Sequence, residues 1–360
     1  MVCRVRDGCL AAVLALSCTS CTDLLLARYR DDALLARHTY RLGQEYLDLG
    51  DLTLCYQEVG QGDPVIILPG LGTSIDFWQL NVPSLAEHFH VLAMDLPGFG
   101  KSDKPDASYD LLWLSRQVLA FMDAKQIERA HFIGGSMGGH LGLLLALHHP
   151  DRVGKLVIMG SSGMWPHPGG LADLALKTLW SEWLVADHLR RAWPDIYWKL
   201  SRRQPPITHD LFRYQMAVRA DSRRYAPEGR AAARALRSIF YRTCRNQLDE
   251  IDTPVLLIWG EADHIHPLKD AEFFAEHLPD AKLVVVPDAA HEVMIDNPPL
   301  FNDLVRDFLA PQSDGRKGLA ERPGRTARQN LTHDKRHNAV QGQTLQDCHH
   351  PVTVASRPRG

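Results

Sequence analysis

The 360-residue chain has no internal apolar run that approaches the ~20 residues a bilayer-spanning helix needs. It has no large excess of charge: 40 Lys and Arg stand against 43 Asp and Glu, for a formal net charge of -3. That balance gives no reason to invoke nucleic acid as a partner. It also lacks a disulfide framework. Of seven cysteines, Cys3, Cys9, Cys18 and Cys21 lie at the start and Cys348 near the end, which leaves only Cys55 and Cys244 in the body. Two isolated body cysteines read as small buried apolar residues. The histidines His333, His337, His349 and His350 lack regular ligand spacing, so they give no metal site. They belong to a tail, 311–360, with sparse apolar residues and nine Lys and Arg against four Asp and Glu. Such a composition reads as disordered, because it buries too little surface to offset the entropy of ordering.

What is present first is a leader. Arg4 and Arg6 make a basic start, residues 10–16 a short apolar core, and Ser17-Cys18-Thr19-Ser20-Cys21 a small-residue end. Seven apolar residues suit a signal peptide and are too few to span a membrane. A small residue before a cysteine resembles a bacterial lipoprotein processing site, with Cys18 or Cys21 as the lipidated residue. Ala15 and Cys18 stand three residues before these cysteines, where leucine is usual. Two readings stay open: an exported chain with a lipid anchor at the membrane (1–23 removed or modified), or a cytoplasmic chain with an ordinary leader.

Residues 24–44 read as a connecting helix. The stretches 46–48 and 52–56 bracket Gly50-Asp51, which is hairpin chemistry and predicts an antiparallel edge. Continuous apolar runs follow at 65–68, 91–94, 131–133, 156–159, 255–258 and 283–286, with helical stretches at 111–125, 138–149, 268–277 and 300–309. Short β-branched runs apolar on both faces suit buried parallel strands, and their alternation with helices predicts a mostly parallel sheet covered on both sides. Residues 163–246 break the rhythm. They contain no strand-like run, but five of the eight tryptophans and 13 arginines between Arg190 and Arg245. The fold class expected is therefore α/β, with a helical cap (163–246) inserted after the sixth strand between two parts of the core, 45–162 and 247–310.

The chemistry is carried by Gly134-Gly135-Ser136-Met137-Gly138-Gly139, placed between an apolar strand and a helix. A Gly-x-Ser-x-Gly in that context is a nucleophile elbow; a bare glycine-rich turn is the alternative. Side chains at Gly134 and Gly138 would collide across so sharp a turn. Serine needs a base, and the base an orienting acid. In this architecture they follow in that order of sequence, acid then histidine, past late strands. Asp263 lies past the 255–258 run and His291 past the 283–286 run. Singly, Asp263 could be a helix cap and His291 one of 18 ordinary histidines; order and placement together select them. Glu261 and Asp288 are competing acids, Asp288 too near His291 in the chain to reach its ring well. His131 lies too far from the serine, His140 packs or caps, and His264 and His266 line the pocket or the loop surface. Two backbone donors are expected for the oxyanion: the N–H of Met137, and that of Leu71 in the loop Leu68-Pro69-Gly70-Leu71-Gly72.

With these residues the chain resembles the α/β-hydrolase superfamily over about 45–310. The likeness rests on the elbow, on Trp259-Gly260-Glu261-Ala262-Asp263, on Ala290-His291 and on Asp95-Leu96-Pro97-Gly98-Phe99-Gly100-Lys101-Ser102-Asp103. It departs at Pro69-Gly70, where many members carry His-Gly. Ser136 argues against the branches that open epoxides or displace halides, which use aspartate at the elbow. The resemblance implies a serine carboxylesterase or lipase-like enzyme with a Ser136–His291–Asp263 triad, an apolar ester substrate, and neither metal nor organic cofactor. Cleavage of a carbon–carbon bond in a keto or diketone acid is the alternative; a non-catalytic binding module on the same fold is a third. Oligomeric state and acyl length stay open.

Overall fold

The computed structural model describes residues 26–37, 42–165, 169–170, 173–174, 177, 180–203 and 205–311. Among these residues eight strands form one sheet: β1 (Glu45–Asp48), β2 (Thr53–Val59), β3 (Pro64–Leu68), β4 (His90–Met94), β5 (Ala130–Gly135), β6 (Val153–Met159), β7 (Val255–Gly260) and β8 (Ala281–Val286). Their order is β1-β2-β4-β3-β5-β6-β7-β8. β2 runs antiparallel to both β1 and β4, and every later pairing is parallel. The Gly50 turn, at φ +89°, closes the β1–β2 hairpin as its sequence predicts.

The helices are α1 (Asp32–Arg37), α2 (Val82–Ala86), α3 (Leu111–Ala124), α4 (Met137–His148), α5 (Glu182–Leu200), α6 (Pro206–Ala220), α7 (Ser222–Tyr241), α8 (Leu268–His277), α9 (Val293–Asp296) and α10 (Pro298–Leu309). Strand residues alternate between two buried clusters. Ile66, Leu92, Phe132, Leu156 and Leu257 pack with residues of α3, α4 and α8, such as Val118, Leu141 and Phe274. Val65, Val91, Ile133, Val157 and Leu256 pack with residues of α2 and α10, such as Leu85, Phe301 and Val305. Both faces are covered, which is why the central strands are apolar on both sides over most of their length, with His90, His131 and Lys155 near their starts. Cys55 and Cys244 are buried free thiols.

Two expectations change. β8 is an edge strand: of its six residues only Val286 is buried, and Val285 is 38% exposed. Its apolar run reflects one covered face and strand propensity rather than burial on both sides. The connecting segment is not one helix. Residues 28–29 form a turn, closed by the Tyr29 N–H on the Leu26 carbonyl, before α1 begins. The leader with Cys18 and Cys21, and the tail from 312 onward, lie outside the described residues. Among the described residues no helix is long and apolar enough to cross a membrane.

Between β6 and β7 the chain forms α5, α6 and α7. They pack on loops at the carboxyl ends of the strands. In α5 the Trp193 ring lies 3.4 Å from where a Cβ on Gly72 would stand, and in α7 the Ala231 Cβ lies 2.6 Å from the equivalent point on Gly98. The strand order switches at β3, with β4 on one side and β5 on the other, both parallel to it. Ligand sites of open α/β sheets form at the carboxyl ends of such strands.

Candidate functional site

Ser136 sits between β5 and α4 with φ +52° and ψ -116°, a conformation that L residues avoid at a cost of ~1–3 kcal/mol. Its N–H donates to the Met159 carbonyl at the end of β6 (2.9 Å). The flanking glycines are steric requirements. A Cβ on Gly134 would lie 2.4 Å from the Gly138 carbonyl carbon, and one on Gly138 only 1.9 Å from the Leu68 carbonyl oxygen. The side chain of Ser136 is half-exposed at the positive end of α4, whose first residue is Met137. The Gly70 turn runs close by: a Cβ there would lie 3.3 Å from the Ser136 Cβ. Among the described residues neither the Leu71 nor the Met137 N–H has a protein acceptor.

Asp263 and His291 meet. Asp263 Oδ2 is 2.9 Å from His291 Nδ1, while Asp263 Oδ1 accepts the N–H groups of Ile265 (2.8 Å) and His266 (2.9 Å). The acid and the imidazole are both 4% exposed. Burial pushes the Asp263 carboxyl up, but the charge and hydrogen bond of His291 outweigh it and hold the group below its ordinary value. Burial likewise pulls His291 down, and the Asp263 carboxylate overrides this, so the imidazole lies above its ordinary 6.5.

Gly160 links this pair to the serine. It follows Met159, the acceptor of the Ser136 N–H, and has φ +43°. A Cβ on Gly160 would fall 2.6 Å from His291 Nδ1 and 2.9 Å from Asp263 Oδ2. Ser136 and the Asp263–His291 pair thus adjoin the same two residues at the end of β6. Sequence reasoning missed Gly160, although a glycine directly after an apolar strand was a signal for close approach.

The competing residues separate. Glu261 and Asp288 are exposed. His131 accepts the Lys155 N–H at the start of β5 (2.9 Å). His140 is fully buried, with Nδ1 3.1 Å from the Ser162 hydroxyl, and burial lowers it to about 4. His264 is exposed, but His266 is buried and stacks on His291 (centroids 5.6 Å, 29°) and on Trp165 (5.0 Å, 26°). Burial lowers its pKa, and it remains a neutral ring against the imidazole.

Two further carboxyls were not legible. Glu292, beside His291, is 6% exposed, and its Oε2 lies 4.0 Å from where a Cβ on Gly135 would be. Burial, with Asp263 and Asp296 nearby, raises it to about 7 against the pull of His291. It lines a small cavity with Phe77, Tyr197, Trp198, Ser201 and Ile295. The other is Asp296, which is buried and bonded to both the 290–292 segment and residues 201–203. The two buried arginines among the described residues, Arg190 and Arg219, are engaged with Asp187 (2.9 Å) and Glu228 (3.5 Å). Arg219 also lies over the Trp193 ring (4.0 Å) and bonds the Gly72 carbonyl (3.4 Å). Among the described residues no group of three His, Cys, Asp or Glu could hold a metal ion.

A mostly parallel sheet with a strained serine between strand and helix, and an Asp–His pair at the ends of later strands, defines a hydrolase class. Residues 63–298 match the family described as alpha/beta hydrolase fold, and the chain belongs to it. It is 31% identical over 287 residues to the 2-hydroxymuconate semialdehyde hydrolase of a Pseudomonas species, covering 75% of this chain and 94% of the relative. It is 30% identical over 280 residues to 3-oxoadipate enol-lactonase 2 of Acinetobacter baylyi, covering 74% and 96%. Among solved structures, a bacterial membrane phospholipase A described as a virulence factor superposes with a TM-score of 0.63 at 26% identity, covering 85% of this chain and 95% of that one. The chain is a hydrolase of this fold.

Proposed function

We propose that the protein is a serine hydrolase that cleaves carboxylic esters through an acyl-enzyme, with Ser136 as nucleophile, His291 as base and Asp263 as orienting acid. The observation that carries the reading is the buried 2.9 Å Asp263–His291 pair adjoining the same Met159–Gly160 step that holds the strained Ser136. Asp263 is ionised and accepts, so Nδ1 of His291 carries the proton and Nε2 keeps its lone pair for the Ser136 hydroxyl. Ser136 Oγ attacks the ester carbonyl as its proton passes to Nε2. The Leu71 and Met137 N–H groups hold the oxyanion. His291 then gives its proton to the leaving alcohol, and a water activated by the same nitrogen releases the acid.

A neutral ester suits the surroundings better than a keto acid. Both buried arginines already face carboxylates, and Glu292 adds an acidic group beside His291. Among the described residues both buried arginines are already paired, so a substrate carboxylate would be desolvated there uncompensated. The enol-lactonase and the phospholipase A are, by name, relatives that act on esters, a lactone being a cyclic ester. The second reading, carbon–carbon bond hydrolysis, is favoured by the 2-hydroxymuconate semialdehyde hydrolase. Steady-state kinetics on p-nitrophenyl esters of increasing acyl length, beside a vinylogous diketone acid, tests the choice. Ester turnover with the larger kcat/KM is expected; much faster cleavage of the diketone acid would reverse the assignment.

A further inference from the structure

His291 is held from both sides by one joint of the chain. The residue before it, Ala290, donates its N–H to Asp296 Oδ2 at 2.7 Å. The residue after it, Glu292, donates its N–H to the carbonyl of Leu200, the last residue of α5, also at 2.7 Å. The Asp296 carboxylate reaches the same joint. Oδ1 accepts the Ser201 hydroxyl (2.6 Å) and the Arg203 N–H (2.9 Å), and Oδ2 accepts the Arg202 N–H (3.1 Å). Four donors converge on one carboxylate that is 2% exposed. Three come from the link between α5 and α6, and one from the segment that carries His291.

Charge-assisted bonds at a buried site are strong and hold their partners in fixed relation. The reaction steps above make no use of Asp296. We infer that Asp296 is a positioning residue that couples the helical insertion to His291. Residues 200–203 set where α5 and α6 sit, and Asp296, with the Leu200 carbonyl, passes that placement to the backbone on both sides of the imidazole. The small cavity at this joint is walled by Tyr197 and Leu200 from α5, Thr208 from α6, and Glu292 and Ile295 from the histidine side. A group filling it presses on both partners of the joint at once. His291 is therefore in register with Asp263 and Ser136 when the insertion is seated, and loses register when it lifts.

The inference rests on the proposed triad, and the experiment separates the two. Asp296→Asn keeps the volume but turns one acceptor oxygen into a donor facing N–H groups. With p-nitrophenyl butyrate, kcat should fall by about 10- to 100-fold, with KM changed by no more than about twofold. The acid limb of the kcat–pH profile should move to lower pH, because an imidazole out of register with Asp263 loses the partner that raises it. Ser201→Ala, which removes one donor from the insertion side only, should shift kcat and the limb in the same direction by less. A purely structural role would lower Tm and leave the limb in place. A folded Asp296→Asn with unchanged kcat and limb overturns the coupling. If that variant does not fold, Ser201→Ala decides: unchanged kcat and limb overturn it equally. Ser136→Ala is run alongside. Turnover retained there removes the triad, whereas an inactive Ser136→Ala beside an unaffected Asp296→Asn removes only the coupling.

Discussion

Glu292→Gln should stabilise the protein, and the gain should grow with pH. The Glu292 carboxyl is buried beside His291, with Asp263 and Asp296 adding negative charge around it, and it is raised from 4.5 to about 7. For an acid raised in the folded state, the native protein holds its proton over a pH range in which the unfolded chain has lost it. Stability then falls as pH climbs from about 4.5 to about 7. At about 1.4 kcal/mol for each pH unit of that interval, the loss comes to about 3 kcal/mol. Glutamine has the shape of the protonated acid and does not ionise. At pH 5 the variant and the wild type should therefore unfold at similar urea concentrations. At pH 8 the variant should be more stable by about 3 kcal/mol, read from urea midpoints at constant m-value. The titration of His291 acts in both proteins and largely cancels in the difference. An equal difference between variant and wild type at the two pH values would show that Glu292 is not a buried ionisable group in the folded state.

Other outcomes follow from the same geometry. Ser136→Ala should lower kcat by something on the order of 10⁶. Ser136→Gly should be as inactive yet more stable than wild type by about 1 kcal/mol, because glycine adopts positive φ freely, as differential scanning calorimetry would show. Asp263→Asn should lower kcat by about 10⁴. Its acid limb should move to lower pH: in the proposed mechanism His291 acts unprotonated, the carboxylate holds its pKa above the ordinary value, and removing that charge lets burial pull it down. An acid limb that does not move between wild type and variant would refute the pairing. Gly160→Ala should cost at least about 100-fold in kcat, since its Cβ would overlap the His291 ring and the Asp263 carboxylate. Normal turnover in a folded Gly160→Ala would contradict the packing around the pair.

The strand–helix alternation was legible because the central strands carry continuous apolar runs, and that follows from helices on both faces. The elbow was legible because its steric demands act over five consecutive residues, and Gly134 and Gly138 meet across it. Asp263 and His291 were found through order along the chain, since topology sends the ends of β7 and β8 toward the same edge as the end of β5. What could not be read were groups defined by long-range burial. Glu292 and Asp296 look like surface acids in sequence, and only the packing of α5 and the 201–203 link removes them from water. β8 misled in the other direction: its apolar run is that of a central strand, while its place at the sheet edge leaves it half-exposed. His266 shows the same limit, because stacking on His291 is a property of the folded loop and not of residue spacing.

The most direct measurement is intact-protein and peptide mass spectrometry after reaction with a fluorophosphonate ester. A phosphonyl group on Ser136 alone is expected in the wild type, with labelling abolished in Ser136→Ala and strongly slowed in His291→Gln. A folded wild type that takes up no label, or an adduct that persists in Ser136→Ala, would contradict the account.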